Sequence, residues 1–329
     1  MSSFLFVTNA GDASSDALAA TAKSLRRLGF TRRPWYLANG PASLPQFVGR
    51  RIGIGDDESA EWVVFVAAGD VVERDSLHIA TTIEAGVDVL YGDTRHAINR
   101  GDRLPTFQRR PSFSPERLRS HDYIGEFIMA RRSVVNAAGG LELLANAGSH
   151  DRNLRLTEKA QHVFRSPVIF NVTPNPNLLP TADQVAVAAH LQRTGIAATA
   201  LLDPAIPAVR VERTLTRQPK VSVIIPTRGS SAEVRGATFP LVVNAVRTLI
   251  ERSTYQNFEI IVVADTPTPP EVRAALAQIG GDRLLIVDYD KAFNFAAKNN
   301  IGVAHSSGEF ILLLNDDAEI ISPNALATM

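Results

Sequence analysis

Near the end of the chain, ILLLNDDAEI (residues 311–320) runs four apolar residues straight into Asn315, Asp316 and Asp317. Two adjacent carboxylates at the end of a buried strand suit a hard divalent cation, Mg2+ or Mn2+. Such a cation takes oxygen ligands and completes its shell with water and phosphate. Placed there, it would neutralise a diphosphate leaving group. The competing reading is that Asp316 or Asp317 caps a following helix or faces solvent.

In an open parallel sheet, ligands gather at the carboxyl ends of the strands, where the strand order switches. That rule groups further residues with the acidic pair. Pro226, Thr227, Arg228 and Gly229 close the run KVSVIIP (220–226), and Asp265, Thr266 and Pro267 close FEIIVVAD (258–265). Arg228 either meets a phosphate, stacks on a base, or stands on the surface without a partner. Lys298, Asn299 and Asn300 interrupt the helical segment FNFAAKNNIGVAHSSGE. Adjacent asparagines are poor helix formers. These three either hydrogen-bond a ligand near the crevice or satisfy local backbone groups. Phe293, Phe295, Ala297, Ile301 and Val303 of that segment are expected in the core.

The elements that must position these groups alternate between strand and helix. FLFVT (4–8), WYL (35–37), RIGIG (51–55), WVVFVA (62–67) and VDVLYG (87–92) read as strands. Ser14 or Ser15 can cap a helix carrying Leu18, Ala22, Leu25 and Leu28 on one face, with Gly29 at its stop. Further helices are expected around 77–85, 131–138 and 151–161. Residues 174–219 are proline-rich with one helix (183–194), which reads as a connector. A second block then repeats the alternation. KVSVIIP, FEIIVVAD, RLLIVDY (283–289) and FILLL (310–314) are strands, and helices are opened by Pro240 and Pro270. The first of these presents Leu241, Val242, Ala245, Val246, Leu249 and Ile250 as one stripe. Strands separated by helices predict parallel, doubly wound sheets. EWVVFVAAGD (61–70) and EFILLLNDDA (309–318) echo each other, which with the shared order of elements points to an internal duplication.

Bulk properties narrow the function classes. With 329 residues, two domains are expected. Lys plus Arg number 34 and Asp plus Glu number 34, so no basic surplus marks a nucleic-acid partner. Cysteine is absent, which excludes disulfides and thiolate metal sites. His150, His162 and His305 lack metal-ligand spacing. No G-x-G-x-x-G, P-loop or G-x-S-x-G follows a strand, against a dinucleotide dehydrogenase, a P-loop kinase and a serine hydrolase. No window approaches the ~20 apolar residues of a spanning helix. The chain reads as soluble and cytoplasmic, free or at the inner face of the membrane.

Taken together, PKVSVIIPTRG (219–229), STYQNFEIIVVAD (253–265) and KAFNFAAKNNIGVAHSSGEFILLLNDDAEIISPNAL (291–326) resemble family 2 glycosyltransferases of the GT-A fold. The resemblance is to the bacterial multi-domain type that builds cell-surface polysaccharides, including rhamnose-containing ones. It implies a UDP- or dTDP-linked nucleoside diphosphate sugar as donor and a glycan or lipid-linked saccharide as acceptor. It puts Asp317 on the cation, Asp316 near the ribose or the metal, and Thr227 and Arg228 by the base. The acidic residue that the family carries after its second strand falls at Ala264, with Asp265 next to it. The first block is similar to a degenerate copy. Residues 91–140 resemble the acceptor-side half, and GSHDRNLRL (148–156) resembles the segment carrying the catalytic base, which implicates Asp151. In its metal motif, AAGD, only Asp70 remains as a weak ligand.

The expected architecture is therefore α/β, with two Rossmann-like GT-A nucleotide-diphospho-sugar transferase units in tandem. Residues 1–175 would form a degenerate domain, 176–218 a connector, and 219–329 the donor half of a second domain. A donor half alone would expose apolar sheet surface, so marginal stability or self-association is expected. Peripheral membrane association is compatible with the sequence. The competing function is a catalytically inactive glycan-binding or scaffolding module.

Overall fold

The runs FLFV, WVVF, VSVII and EIIVV all form strands that are buried on both faces, which is why their sequences are continuously apolar rather than alternating. The structure is a computed structural model that describes residues 3–29, 35–39, 60–83, 86–97, 105–174 and 182–329. The predicted strand at 51–55 lies outside the described residues. The chain divides into two compact units, Met1–Arg213 and Thr214–Met329.

The first unit opens with β1 (Phe4–Asn9), α1 (Ser15–Arg27), β2 (Trp35–Ala38), β3 (Trp62–Phe65) and β4 (Val71–Val72). It continues through α2 (Arg74–Thr82), β5 (Val89–His96), β6 (Phe107–Gln108), α3 (Pro115–Ser120) and β7 (Ile128–Arg131). Then come α4 (Arg132–Ala137), α5 (Leu141–Asn146), α6 (Ser149–Lys159), β8 (Val163–Thr173), α7 (Gln184–Thr194), β9 (Ala198–Leu202) and β10 (Val209–Arg213). The main sheet runs β2-β1-β3-β7-β5-β8-β4, with β6 on β5. Its first three strands are parallel. The expectation of a wholly parallel sheet fails at β7, which is antiparallel to both β3 and β5.

Ser14 caps α1 by accepting from Ala17 N, and Leu18, Ala22 and Leu25 of that helix bury Phe4, Phe6, Trp62 and Val64 on one face of the sheet. On the other face, Leu5, Val7, Val63 and Phe65 pack in a cluster with Val135, Leu144 and Leu154. Val187 and Leu191 of α7 and Ala200 and Val209 of the β9–β10 hairpin join that cluster. The proline-rich region thus contains a helix and hairpin within the first unit.

The second unit comprises β11 (Val221–Thr227), β12 (Ser231–Val234), β13 (Ala237–Pro240), α8 (Leu241–Arg252) and β14 (Phe258–Asp265). It ends with α9 (Pro270–Gly280), β15 (Leu284–Tyr289), α10 (Phe295–Ala304), β16 (Phe310–Leu313) and α11 (Ala325–Thr328). Here the parallel expectation holds. The sheet runs β15-β14-β11-β16, and all its pairings are parallel. Consecutive strands β11, β14 and β15 step one way, and β16 returns to the far side of β11, so the strand order switches at β11. The predicted α8 stripe packs on this sheet, with Val242, Ala245, Val246 and Leu249 fully buried. β16 is an edge strand with Phe310, Ile311 and Leu313 exposed.

One register relationship recurs in both units. Trp62 lies opposite Phe4 and Phe65 opposite Val7 in the first, and Phe310 lies opposite Val221 and Leu313 opposite Ile224 in the second. Val66 N donates to Val7 O, and Leu314 N donates to Ile224 O, each at 2.9 Å.

Candidate functional site

β11 ends at the centre of the second unit's switch point. Its even-numbered residues bond to β16, and the last of these bonds runs from Leu314 N to Ile224 O. The next donor on that edge would come from position 226. Pro226 has no N–H, so the ladder stops there and the two strand ends separate. Gly229 follows in a left-handed conformation (φ 74°), and a Cβ on it would lie 2.6 Å from Thr268 Cγ2. Glycine is therefore required to bring the loop after β11 against the loop after β14.

Three strand ends converge on these loops. Thr227 Oγ1 donates to Asp316 Oδ2 at 2.6 Å and accepts from Gly229 N at 2.9 Å. Lys298, at the buried face of α10, donates from Nζ to Asp265 Oδ1 at 2.7 Å and to Thr227 O at 2.5 Å. The Arg228 Nε lies 3.6 Å from Asp265 Oδ2, and its guanidinium stacks 4.1 Å from the Phe293 ring centroid. Thr227, Arg228, Asp265, Lys298 and Asp316 thus form one connected cluster. A fully buried ammonium is costly unless paired and hydrogen-bonded; Lys298 has both an anion and a carbonyl.

The acidic tip is a turn, with Ala318 N donating to Asn315 O. Neither Asp316 nor Asp317 caps a helix, because the next helix, α11, starts at Ala325 after an Asn324 N-cap. Asp317 is exposed, and among the described residues no side chain pairs with it. Among the described residues no three His, Cys, Asp or Glu side chains cluster as a metal cage. Two adjacent carboxylates, one of them unpaired, nevertheless fit a cation that draws its remaining ligands from phosphate and water.

The segment around Lys298 departs from expectation. Phe293, Phe295 and Val303 are 46%, 49% and 43% exposed, not core. The buried positions of α10 are instead Lys298, Asn299 and Gly302, with Ala297 and Ile301 partly buried against Ile224, Ile261 and Val263. The ion pair with Asp265 decides which face turns inward. Asn299 Nδ2 donates back to Phe295 O at 2.9 Å, the local backbone role, and Asn300 is exposed.

In the first unit, the shared register sets Ala67, Ala68 and Gly69 at the positions of Asn315, Asp316 and Asp317. Asp70 corresponds to Ala318. Its side chain is buried and accepts from Asn171 Nδ2 at 2.6 Å. Burial pushes its pKa up to about 7, against the lowering effect of its hydrogen bonds. Asp151 accepts from Arg155 Nε at 2.8 Å and pairs with Arg193 at 3.4 Å. A cavity of about 460 Å3 lies at the ends of β1 and β3, and Ser149 and Arg152 line it while Asp151 does not. Successive residues on a helix point about 100° apart, so the neighbour of the sequence-predicted base is the residue that reaches the cavity. Arg152 and Glu126 escaped the sequence reading. The available signal was that an Asp four residues before an Arg, as in Asp151 and Arg155, tends to pair along its own helix.

Residues 222–329 match the family model for glycosyl transferase family 2. The C-terminal unit belongs to glycosyl transferase family 2. The chain carrying this family 2 unit is also similar to the O-antigen biosynthesis protein RfbC of Myxococcus xanthus. The two are 30% identical over 281 residues, covering 81% of this chain and 21% of RfbC. It is 28% identical over 288 residues to the uncharacterized protein y4gI of Sinorhizobium fredii, covering 82% of this chain and 31% of y4gI. The chain thus spans between about a fifth and a third of these relatives. Among solved structures, it is similar to the mannosyltransferase PcManGT from Pyrobaculum calidifontis in complex with GDP-Man and Mn2+. That match has 25% identity and a TM-score of 0.29, and covers 34% of this chain and 31% of that one. It is also similar to S. aureus TarS 1–349 in complex with UDP, with 14% identity and a TM-score of 0.41, covering 58% of this chain and 65% of that one.

Proposed function

We propose that the chain is part of a glycosyltransferase that moves a sugar from a nucleoside diphosphate sugar to a glycan or lipid-linked saccharide during polysaccharide assembly. The observation that carries this reading is the cluster joining Thr227, Asp265, Lys298 and Asp316 at the switch point, with Asp317 unpaired beside it. The family of the C-terminal unit and the similarity to an O-antigen biosynthesis protein support it.

In this reading Asp317 and Asp316 would hold Mg2+ or Mn2+, which when bound supplies positive charge against the diphosphate. Thr227 fixes the orientation of Asp316. Lys298 neutralises Asp265 and holds the end of β11 in place. Arg228, half exposed over Phe293, offers a flat cation to a nucleotide base. The donor would be UDP- or dTDP-linked, and the protein would work in the cytoplasm or against the inner face of the membrane. Among the described residues no helix is long and apolar enough to cross a membrane.

The first unit, in the same reading, is a degenerate copy of the second that has given up transfer chemistry. Ala67, Ala68 and Gly69 carry no carboxylate, Asp70 is buried in a hydrogen bond, and Asp151 is engaged by two arginines. Calorimetric titration of the full chain with UDP, dTDP and GDP, with and without Mn2+, tests the proposal. Metal-dependent binding of at least one nucleotide is expected, and equal, weak heats with and without metal for all three would refute it.

A further inference from the structure

The β9–β10 hairpin of the first unit ends in an exposed apolar tip that offers water no backbone donor. The base of the hairpin is anchored. Ala200 and Val209 are buried in the core cluster, and Ala198 and Val211 pack against it. Leu202 lies opposite Val209 and is already 57% exposed. Beyond it the turn reads DPAIPA (203–208), in which Ile206 is 60% exposed and Pro204, Ala205 and Pro207 are exposed beside it. Exposed turns ordinarily carry polar residues, and their N–H groups meet water. Here they do not. Asp203 N donates to Ala208 O at 2.8 Å, and Ala208 N donates to Ile206 O at 2.7 Å. Ala205 N and Ile206 N both donate to Asp203 Oδ1, at 2.8 and 3.2 Å. Pro204 and Pro207 have no N–H to satisfy.

An unsatisfied N–H costs most where no water can reach it. A turn whose donors are all met internally therefore suits an apolar phase. Its one charged residue, Asp203, is half-buried and uses Oδ1 on the N–H groups of the tip itself. A partner protein gripping the tip would recognise it through hydrogen bonds, and the tip has no backbone donor to give. Lipid acyl chains ask for none. Arg210 stands three residues past Pro207, about 10 Å back along the strand at ~3.3 Å per residue. That spacing matches the ~5–10 Å depth to which apolar groups enter a membrane interface. Arg210 is exposed, and its ion pair with Glu212 at 3.1 Å is a surface pair that contributes little. It is placed to exchange that partner for a lipid phosphate while the tip lies among the upper acyl chains.

We propose that the tip of the β9–β10 hairpin, Leu202 to Pro207, is a membrane anchor that inserts into the interface of a phospholipid bilayer. The test sediments the full chain with vesicles of phosphatidylcholine and phosphatidylglycerol at about 5 mM lipid. The assay contains neither nucleotide nor metal, so its failure would leave the sugar-transfer reading standing. The parent is expected to sediment with the vesicles. Leu202→Ser and Ile206→Asp should each lower the bound fraction roughly fivefold. Ile321→Ser, which removes an exposed apolar side chain from the second unit, should leave it unchanged. Asp203→Ala should bind less although it removes a negative charge, because it frees the Ala205 and Ile206 N–H groups; Asp203→Asn keeps an acceptor and should bind like the parent. All these positions are exposed or half-buried, and circular dichroism of the variants should match the parent. The two native tryptophans, Trp35 and Trp62, are buried, so Ile206→Trp reports on the tip. Its emission should shift to the blue with vesicles and be quenched by a lipid carrying a shallow nitroxide. Failure of the parent to sediment would assign the tip to a protein partner and overturn the proposal. Parental binding in Ile206→Asp, undiminished binding in Asp203→Ala, or Ile206→Trp emission unmoved by vesicles would each overturn it as well.

Discussion

Thr227 Oγ1 donates a 2.6 Å hydrogen bond to Asp316 Oδ2 across 89 residues of chain. The bond joins the end of the central strand to the acidic turn. Hydrogen bonds to charged groups contribute about 1.5–3 kcal/mol. Removing this one should release Asp316 without unpacking the sheet. Thr227→Val is expected to weaken metal-dependent nucleotide binding by roughly tenfold, with the urea midpoint changed little. Calorimetry beside a urea melt checks both; unchanged affinity would deny Thr227 its positioning role.

Lys298 is the buried counter-ion of Asp265 at 2.7 Å. Truncating one partner of such a pair leaves an uncompensated charge and costs about 3–5 kcal/mol. Lys298→Met and Asp265→Val should each destabilise the second unit by that order. The double variant should lose less than the two singles added together, by about 1–3 kcal/mol. A double-mutant cycle in urea, followed by circular dichroism, reads the coupling. Simple additivity would show that the pair does not act as a unit.

These two contacts also mark what could be read in advance. The strands were legible because sheets covered on both faces demand unbroken apolar runs, and the switch-point rule gathered Thr227, Asp265 and Asp316 before any contact was seen. The inward face of α10 was not legible. Counting apolar residues favoured Phe293, Phe295 and Val303, while the pairing of Lys298 with Asp265 turned the other face in. The pairing of Asp151 with Arg193, 42 residues away, was likewise not legible from the sequence. The β12–β13 hairpin gave no signal because its two-residue turn, Arg235 and Gly236, has positive φ at both positions without the usual Asn-Gly.

Asp70 makes the first unit sensitive to pH. Its pKa rises from an ordinary 3.8 to about 7 in the fold. A carboxyl raised in this way contributes stability that is fully present below pH 3.8 and is lost as pH climbs through about 7. Asp70→Asn removes the charge and keeps an acceptor for Asn171. The variant should be roughly 2–4 kcal/mol more stable than the parent at pH 8, given about 1.4 kcal/mol for each tenfold change in proton affinity. The gap should narrow markedly by pH 5. Thermal melts at the two pH values check this; parallel behaviour of parent and variant would show that the carboxyl is not buried in its charged form.

The central claim is that the acidic turn after β16 is a cation-assisted docking point for a nucleoside diphosphate. Calorimetric titration of UDP or dTDP into the full chain with Mn2+, comparing the parent with Asp317→Ala, tests it most directly. The account predicts that parental binding is lost in Asp317→Ala while its urea midpoint stays within about 0.5 kcal/mol of the parent. Undiminished, Mn2+-dependent affinity in Asp317→Ala would contradict it.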